Sequence, residues 1–321
     1  MDKQVRVLTT YFFALRERLM SNSDGSPSNI DWRLLDAREA VLRKEWGSTS
    51  KAYQHAVLCQ LGLPHRSLGD VQTFTRRSGN ATLRLRAGEV RLADGSFVPA
   101  GVPYGAVSRI VLLSLCSEAI KNQSPIIEVE RSLTAFVKNL GLSTDTRALR
   151  RIREQTKRMS VLQMRIDVEN PQYRDTFQGF VFNKFRCETP ASAAQGMLFP
   201  SIVEFSSGFY KSLAEHAVPL RMDAIKSLSH SSRGLDIYSW LASRLHRVSR
   251  SKPMVVRYTS LRWQFGVPTQ DINSFKRAFR KALKTALMVY PEARVELVYG
   301  GIMLYNSPPP VKRRGAKGLL V

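Results

Sequence analysis

The sequence predicts an α+β fold in which one motif occurs twice, each copy ending on a basic helix. Three observations carry this reading. Gly105–Ala119 reads as a helix, Ile126–Val129 as a short strand and Leu133–Leu140 as a short apolar helix, followed by Gly141 and a basic segment from Thr146. The same order returns as Leu235–Val248, Met254–Val256, Leu261–Phe265, Gly266 and a basic segment from Asp271. Leu140-Gly141-Leu142 and Phe265-Gly266-Val267 hold the same place in the two copies. Helix, strand, helix, glycine turn and basic helix is the order of a winged helix-turn-helix, whose last helix can lie in the major groove of duplex DNA. The expected class is therefore α+β: two tandem winged-helix domains, each a helix-turn-helix with a β-wing, behind an N-terminal helical and β leader.

The elements follow in order. Residues 1–62 read as the leader, with helical pattern up to Met20, a Ser/Asn/Gly/Pro-rich break at Ser21–Asn29 and a helix over Asp31–Trp46. Residues 63–217 form the first domain. Its lead-in, Thr82–Val98, alternates with β period, and Asp94-Gly95 signals a hairpin turn. Val107–Ile120 is apolar nearly all round, the pattern of a buried helix. Ser143-Thr144-Asp145 offers capping chemistry to the basic helix. Gln163–Val168, Phe180–Phe182 and Leu198–Phe205 read as strands of a long first wing interrupted by the small-residue loop Thr189–Gly196.

Residues 218–311 form the second domain, and its pattern is cleaner. Ile237, Leu241, Leu245 and Val248 recur at helical spacing, as do Ile272, Phe275, Phe279, Leu283 and Leu287. Arg294–Val298 and Ile302–Tyr305 flank Gly300-Gly301, a hairpin of wing proportions. Residues 312–321 are a basic tail carrying Lys312, Arg313 and Arg314.

Charge decides the class of partner. The formal net charge of +23 and the 49 Lys and Arg against 26 Asp and Glu point to a polyanion, with nucleic acid ahead of an anionic membrane. No apolar run approaches the roughly 18–20 residues of a membrane span, and Asp2 with no hydrophobic run behind it argues against a secretory signal. Cys59, Cys116 and Cys187 are far apart and form no CxxC pair, so a reducing, cytoplasmic compartment is expected.

The charges gather on helix faces. Arg147, Arg150, Arg151, Lys157 and Arg158 fall opposite Ala148, Leu149, Ile152 and Met159 on an ideal wheel. Arg277, Arg280, Lys281 and Lys284, flanked by Lys276, fall opposite the second apolar stripe. Solvated faces normally mix signs to gain i,i+4 pairs, whereas these are almost purely positive. Both are read as DNA-binding faces, together with Lys312, Arg313 and Arg314. Arginine can make bidentate contacts to guanine edges, and lysine mostly meets phosphate.

Catalysis is not expected, and no cofactor or metal is. There is no GxxxxGK[ST] loop, and His55, His65, His216, His230 and His246 never fall at H-x-H or H-x-x-x-H spacing. Tyr104, Tyr238, Tyr258 and Tyr305 read as core or wing residues rather than nucleophiles. Glu128 with Glu130 and Asp167 with Glu169 have the spacing of exposed strand positions.

Phe97-Val98-Pro99-Ala100-Gly101-Val102-Pro103-Tyr104-Gly105 with Ser108-Arg109-Ile110-Val111-Leu112 resembles the core signature of plasmid-encoded replication initiators of the RepA type. Glu128–Val137 and Ser307–Val311 resemble the same family, and the likeness runs from about Leu63 to Val311. It implies a bacterial, plasmid-associated initiator that binds repeats at an origin in duplex DNA, helps open it and recruits host replication proteins such as the replicative helicase. It further implies two winged-helix domains and a homodimer that represses its own promoter, with the monomer initiating. The alternative on the same scaffold is a transcriptional repressor or a partition protein.

Overall fold

The computed structural model describes residues 51–129, 133–186, 200–267 and 270–311. The two leader helices, the break at Ser21–Asn29, the loop Thr189–Gly196, Cys187, Glu130 and the tail cations Lys312, Arg313 and Arg314 lie outside the described residues. The chain is a mixed α+β protein whose buried apolar side chains form one continuous core through both halves.

The first copy of the motif contains α2 (Gly105–Lys121), β6 (Ile126–Glu128), α3 (Leu133–Asn139) and α4 (Thr146–Ser160), and later β9 (Phe182–Arg186) and β10 (Ile202–Phe205). The second contains α7 (Ser232–Arg244), β12 (Met254–Arg257), α8 (Tyr258–Phe265), α9 (Ile272–Met288), β13 (Val295–Val298) and β14 (Gly301–Leu304). The repetition reaches strand order. One sheet runs β6-β10-β9 and the other β12-β14-β13, so in each the early strand lies beside the last strand of the hairpin. All of these pairings are antiparallel.

The copies differ in what lies between the basic helix and the hairpin. In the first copy β7 (Gln163–Glu169) and β8 (Arg174–Phe180) are inserted there. β7 pairs with the second of the lead-in strands β2 (Thr73–Ser78) and β3 (Ala81–Arg86), giving a four-stranded sheet ordered β2-β3-β7-β8. The strand expected at Phe180–Phe182 is interrupted at Val181, between the end of β8 and the start of β9. The Val181 N–H donates to Leu162 O and its carbonyl accepts from Ser206, so its backbone leaves both ladders. In the lead-in, the Asp94-Gly95 turn joins β4 (Glu89–Arg91) to β5 (Phe97–Pro99), as the pattern predicts, while β2 lies ahead of the expected β region.

Within the span assigned to the leader, β1 (Lys51–His55) pairs with β11 (Ala217–Arg221), and α1 (Ala56–Gln60) packs on α7. Two shorter helices, α5 (Ser207–Glu215) and α6 (Met222–Ser227), flank β11. α2 is the buried helix its composition predicts: Ile110, Val111, Leu112, Leu113, Leu115, Cys116 and Ala119 are all buried. Truncating one such leucine to alanine costs about 2–5 kcal/mol, because the lost transfer energy is joined by a cavity.

The halves are fastened by an ion pair. Arg109 on α2 meets Asp236 on α7 through two bonds, Nε to Oδ1 at 2.6 Å and Nη2 to Oδ2 at 2.8 Å. Both side chains are only 6% exposed, and the same guanidinium donates to the carbonyls of Leu63, Pro64 and Gly105. Desolvation offsets most of the attraction in such a pair, but removing one partner strands a buried charge.

Candidate nucleic-acid interface

α9 is built by local rules. Asp271 caps it, its carboxylate accepting from the N–H groups of Asn273 at 3.0 Å and Ser274 at 2.9 Å. The hydrogen bonds to Ser274 hold that carboxyl below the usual carboxylate range. Phe275, Phe279, Ala282, Leu283 and Ala286 are buried, and the ring of Phe279 packs on Phe275 and Phe265 at 5.6 and 5.8 Å. That fixes the helix's rotation and leaves Arg277, Arg280, Lys281 and Lys284 exposed, with Lys276 half-buried.

The buried ring of Tyr258 on α8 then orders part of this face. Arg280 Nε donates to its hydroxyl at 3.0 Å, and the guanidinium lies 5.4 Å from the ring centroid. Lys276 Nζ sits 5.8 Å from the same ring. Among the described residues, Arg277, Lys281 and Lys284 make no side-chain hydrogen bond or ion pair. The face therefore presents one oriented arginine among unengaged cations.

The hairpin beside α9 differs from expectation by one residue. Its turn is Tyr299-Gly300, with Gly300 at φ 77° and Gly301 opening β14. A two-residue hairpin turn needs positive φ, which Gly300 supplies. Gly301 belongs to the strand because a Cβ there would lie 2.3 Å from Val256 O, too close for any side chain against the neighbouring strand. Gly300 O accepts from the Tyr258 N–H at 2.9 Å, so the turn is tied to the start of α8. Tyr299 projects fully exposed from it, and Trp263 on α8 is 76% exposed. Neither aromatic was singled out from the sequence, where nothing in the periodicity of either segment marks a residue as solvent-facing.

α4 is capped in the same way, Asp145 accepting from Ala148 N at 2.8 Å and from Ser143 Oγ at 2.6 Å. Ile152, Gln155, Thr156 and Met159 are buried. Arg147, Arg150 and Arg151 are exposed, as is Arg153, which lies at the margin of the predicted face. Lys157 is half-buried. Arg158 is turned to the protein: it donates to Val102 O at 3.3 Å, pairs with Glu154 at 2.7 Å and stacks 5.0 Å from the Tyr104 ring centroid. Gln155 Oε1 accepts from Tyr104 N at 2.8 Å. Gly101 makes room for this packing, at φ 75° and with a Cβ position 2.7 Å from Arg158 Nη1. The Gly101–Gly105 stretch therefore seats the C-terminal half of α4.

Of the four tyrosines, Tyr238 and Tyr258 are core residues, and burial raises the Tyr238 hydroxyl well above its ordinary value. Cys59 and Cys116 are buried free thiols. Among the described residues no group of three or more His, Cys, Asp or Glu is placed to hold a metal, and no helix is long and apolar enough to cross a membrane.

A family model described as plasmid-encoded RepA protein matches residues 102–264. It begins inside the Val-Pro-Tyr-Gly stretch and ends in α8, so α9 and its hairpin lie beyond it. Domains 2 and 3 of RctB, in a selenomethionine crystal structure, superpose with a TM-score of 0.48 at 10% identity, covering 78% of this chain and 96% of that one. A second structure of RctB domains 2–3 gives 0.45 at 11% identity, with 77% and 94% covered. No curated protein matches the chain. The family match spans half of the sequence, and the chain belongs to the plasmid-encoded RepA family.

Proposed function

We propose that this plasmid-encoded RepA protein initiates plasmid replication by gripping repeated origin sequences in duplex DNA with two winged-helix units. α9 is the sequence-reading helix, the β13–β14 hairpin its wing, and α4 the corresponding helix of the first unit. One observation supports this most directly. Each copy repeats both element order and strand order, and each places an outward, mainly cationic helix where a recognition helix stands. In this reading Arg277 and Arg280 reach bases, while Lys276, Lys281, Lys284, Arg147, Arg150, Arg151 and Lys157 meet phosphate. The protein catalyses no reaction; opening of the origin follows from binding and from recruitment of host proteins such as the replicative helicase. A homodimer is the repressing form, and the protein works in the bacterial cytoplasm on its plasmid.

A footprint on the protein's own plasmid tests the reading. Protection of direct repeats over roughly two helical turns per monomer is expected, since groove centres on one face recur about every 10–10.5 bp. Protection of a lone palindrome, with no replication of an origin plasmid when the protein is supplied, would assign it instead to transcriptional repression or partition. Strand scission or primer synthesis with Mg²⁺ would overturn the non-catalytic part.

A further inference from the structure

A cleft of about 640 Å³ lies between the lead-in segment that carries β2 and the second copy of the motif, at the start of α7 and the start of α9. Its walls carry Arg66, Arg76 and Arg233, with His65, Phe74 and Gln270. We propose that this cleft is a binding site for a phosphate group. The proposal goes beyond the duplex-DNA reading and does not rest on it.

Surplus charge is the first reason. Asp236 is the acid whose field reaches Arg76 and Arg233, but both of its oxygens are already taken by Arg109. Arg76 is buried and, among the described residues, donates only to neutral carbonyls, Gly62 O at 3.2 Å and Gly266 O at 3.1 Å. Burial pulls its pKa down to about 10, and burial likewise lowers that of Arg233, with Arg66 and Arg109 adding repulsion. His65 adds no charge. Its Nε2 donates to Phe265 O at 2.8 Å, and burial, then Arg109, Arg76 and Arg233, hold it well below its ordinary value. Among the described residues, Arg66, Arg76, Arg109 and Arg233 share the one buried carboxylate of Asp236, and that surplus of positive charge raises the free energy of the empty cleft, which an anion would relieve.

The second reason is unused hydrogen-bonding capacity. Arg233 Nε and Gln270 Oε1 are buried on this cleft with no hydrogen-bond partner among the described residues. Rotating the Gln270 amide by half a turn presents its NH₂ group instead. Arg66 stands exposed at the rim, and its side chain makes no hydrogen bond or ion pair among the described residues. Guanidinium forks suit the several oxygens of a phosphate, and three of them exceed what a two-oxygen carboxylate can engage. Phe74, whose ring lies 4.9 Å from the Arg76 guanidinium, gives the cleft an apolar wall for a sugar or base. The volume falls within the range of small-ligand pockets. Phosphate of this kind comes either from a free mononucleotide or from a DNA backbone crossing the start of α9.

The full-length protein, Arg66→Ala and Arg233→Gln are titrated by calorimetry with inorganic phosphate, AMP and a random-sequence duplex at matched ionic strength. Arg66 is exposed, so its variant folds whatever becomes of Arg233. Binding of phosphate and AMP that weakens at least about tenfold in both variants identifies a free ligand as the source. Silent phosphate and AMP titrations with a similar loss on the duplex identify a DNA phosphate. No difference between the wild type and the variants in all three titrations overturns the proposal. Arg277→Ala, titrated in parallel with a duplex carrying the origin repeat, should weaken binding to that repeat and leave phosphate binding intact, so failure of the recognition-helix reading is seen separately.

Discussion

The two basic helices start alike and end differently. Both are capped by an aspartate and both bury one face, apolar in α9 and half polar in α4, yet α9 keeps its cations outward while α4 spends part of its basic face on the protein. In α4, Arg158 and Gln155 bind the Gly101–Tyr104 segment, and Glu154 sits among the arginines. In α9, Tyr258 orients Arg280 from below and no acid follows the cap within the helix. The hairpins diverge too: β13–β14 follows α9 directly, whereas β7 and β8 stand between α4 and the β9–β10 hairpin and extend the lead-in sheet. One repeated pattern thus yields a compact unit with an open cationic face in one place and a structural hub with a smaller charged face in the other.

The largest expected effect tests whether the two units stand as one body. Asp236→Ala leaves the Arg109 guanidinium buried and unpaired and should cost about 3–5 kcal/mol of stability. Denaturant unfolding followed by probes in each half should show one transition moving as a whole. Two separated transitions in the variant would mean that each unit is stable without the junction.

The next break separates reading from gripping. Arg277→Ala and Arg280→Ala should each cost about 1–3 kcal/mol on the origin repeat and much less on random duplex. Arg150→Ala and Arg151→Ala should weaken both DNAs alike, each reducing the magnitude of the log–log salt slope by about 0.9. A larger specific loss from α4 than from α9 reverses the assignment. For the whole protein the salt slope should correspond to on the order of 6–10 phosphate contacts, and a slope of about −2 or shallower would place the positive charge away from DNA.

Smallest is the pH response of the caps. The Asp145 and Asp271 carboxyls are both held below the ordinary value of 3.8. A depressed folded-state value means each cap contributes fully above the unfolded value and is lost as pH falls through the folded one. Melting temperature should therefore drop in acid, below about pH 4, by less in Asp145→Asn and Asp271→Asn than in the wild type. Equal acid sensitivity in all three proteins would show that other carboxylates carry the transition.

Much of the candidate interface was legible because it is local. The Phe275–Phe279–Leu283 stripe, the Asp271 cap and the glycine turns act over a few residues, so α9 and its exposed cations could be placed from spacing alone. Arg158 could not be. The wheel sets its angle, but the partner that claims it comes from Val102 and Tyr104, far away in the chain. The same holds for Tyr258, whose hydroxyl aims Arg280 from another helix.

The sequence by itself determined the order of elements in each copy, the basic faces and the resemblance carried by the Val-Pro-Tyr-Gly stretch. Helical and strand periods, caps and turns are short-range physics, and each is written within a window of a few residues. Only the tertiary structure decided that β1 pairs with β11, that the β7–β8 hairpin joins β2 and β3 through the β3–β7 pairing, and that Arg109 reaches Asp236. Those choices join residues distant in sequence. Alternation along a strand says which face is buried, but not which of several similar strands will lie beside it; that is settled by the shape and polarity the packed core leaves open.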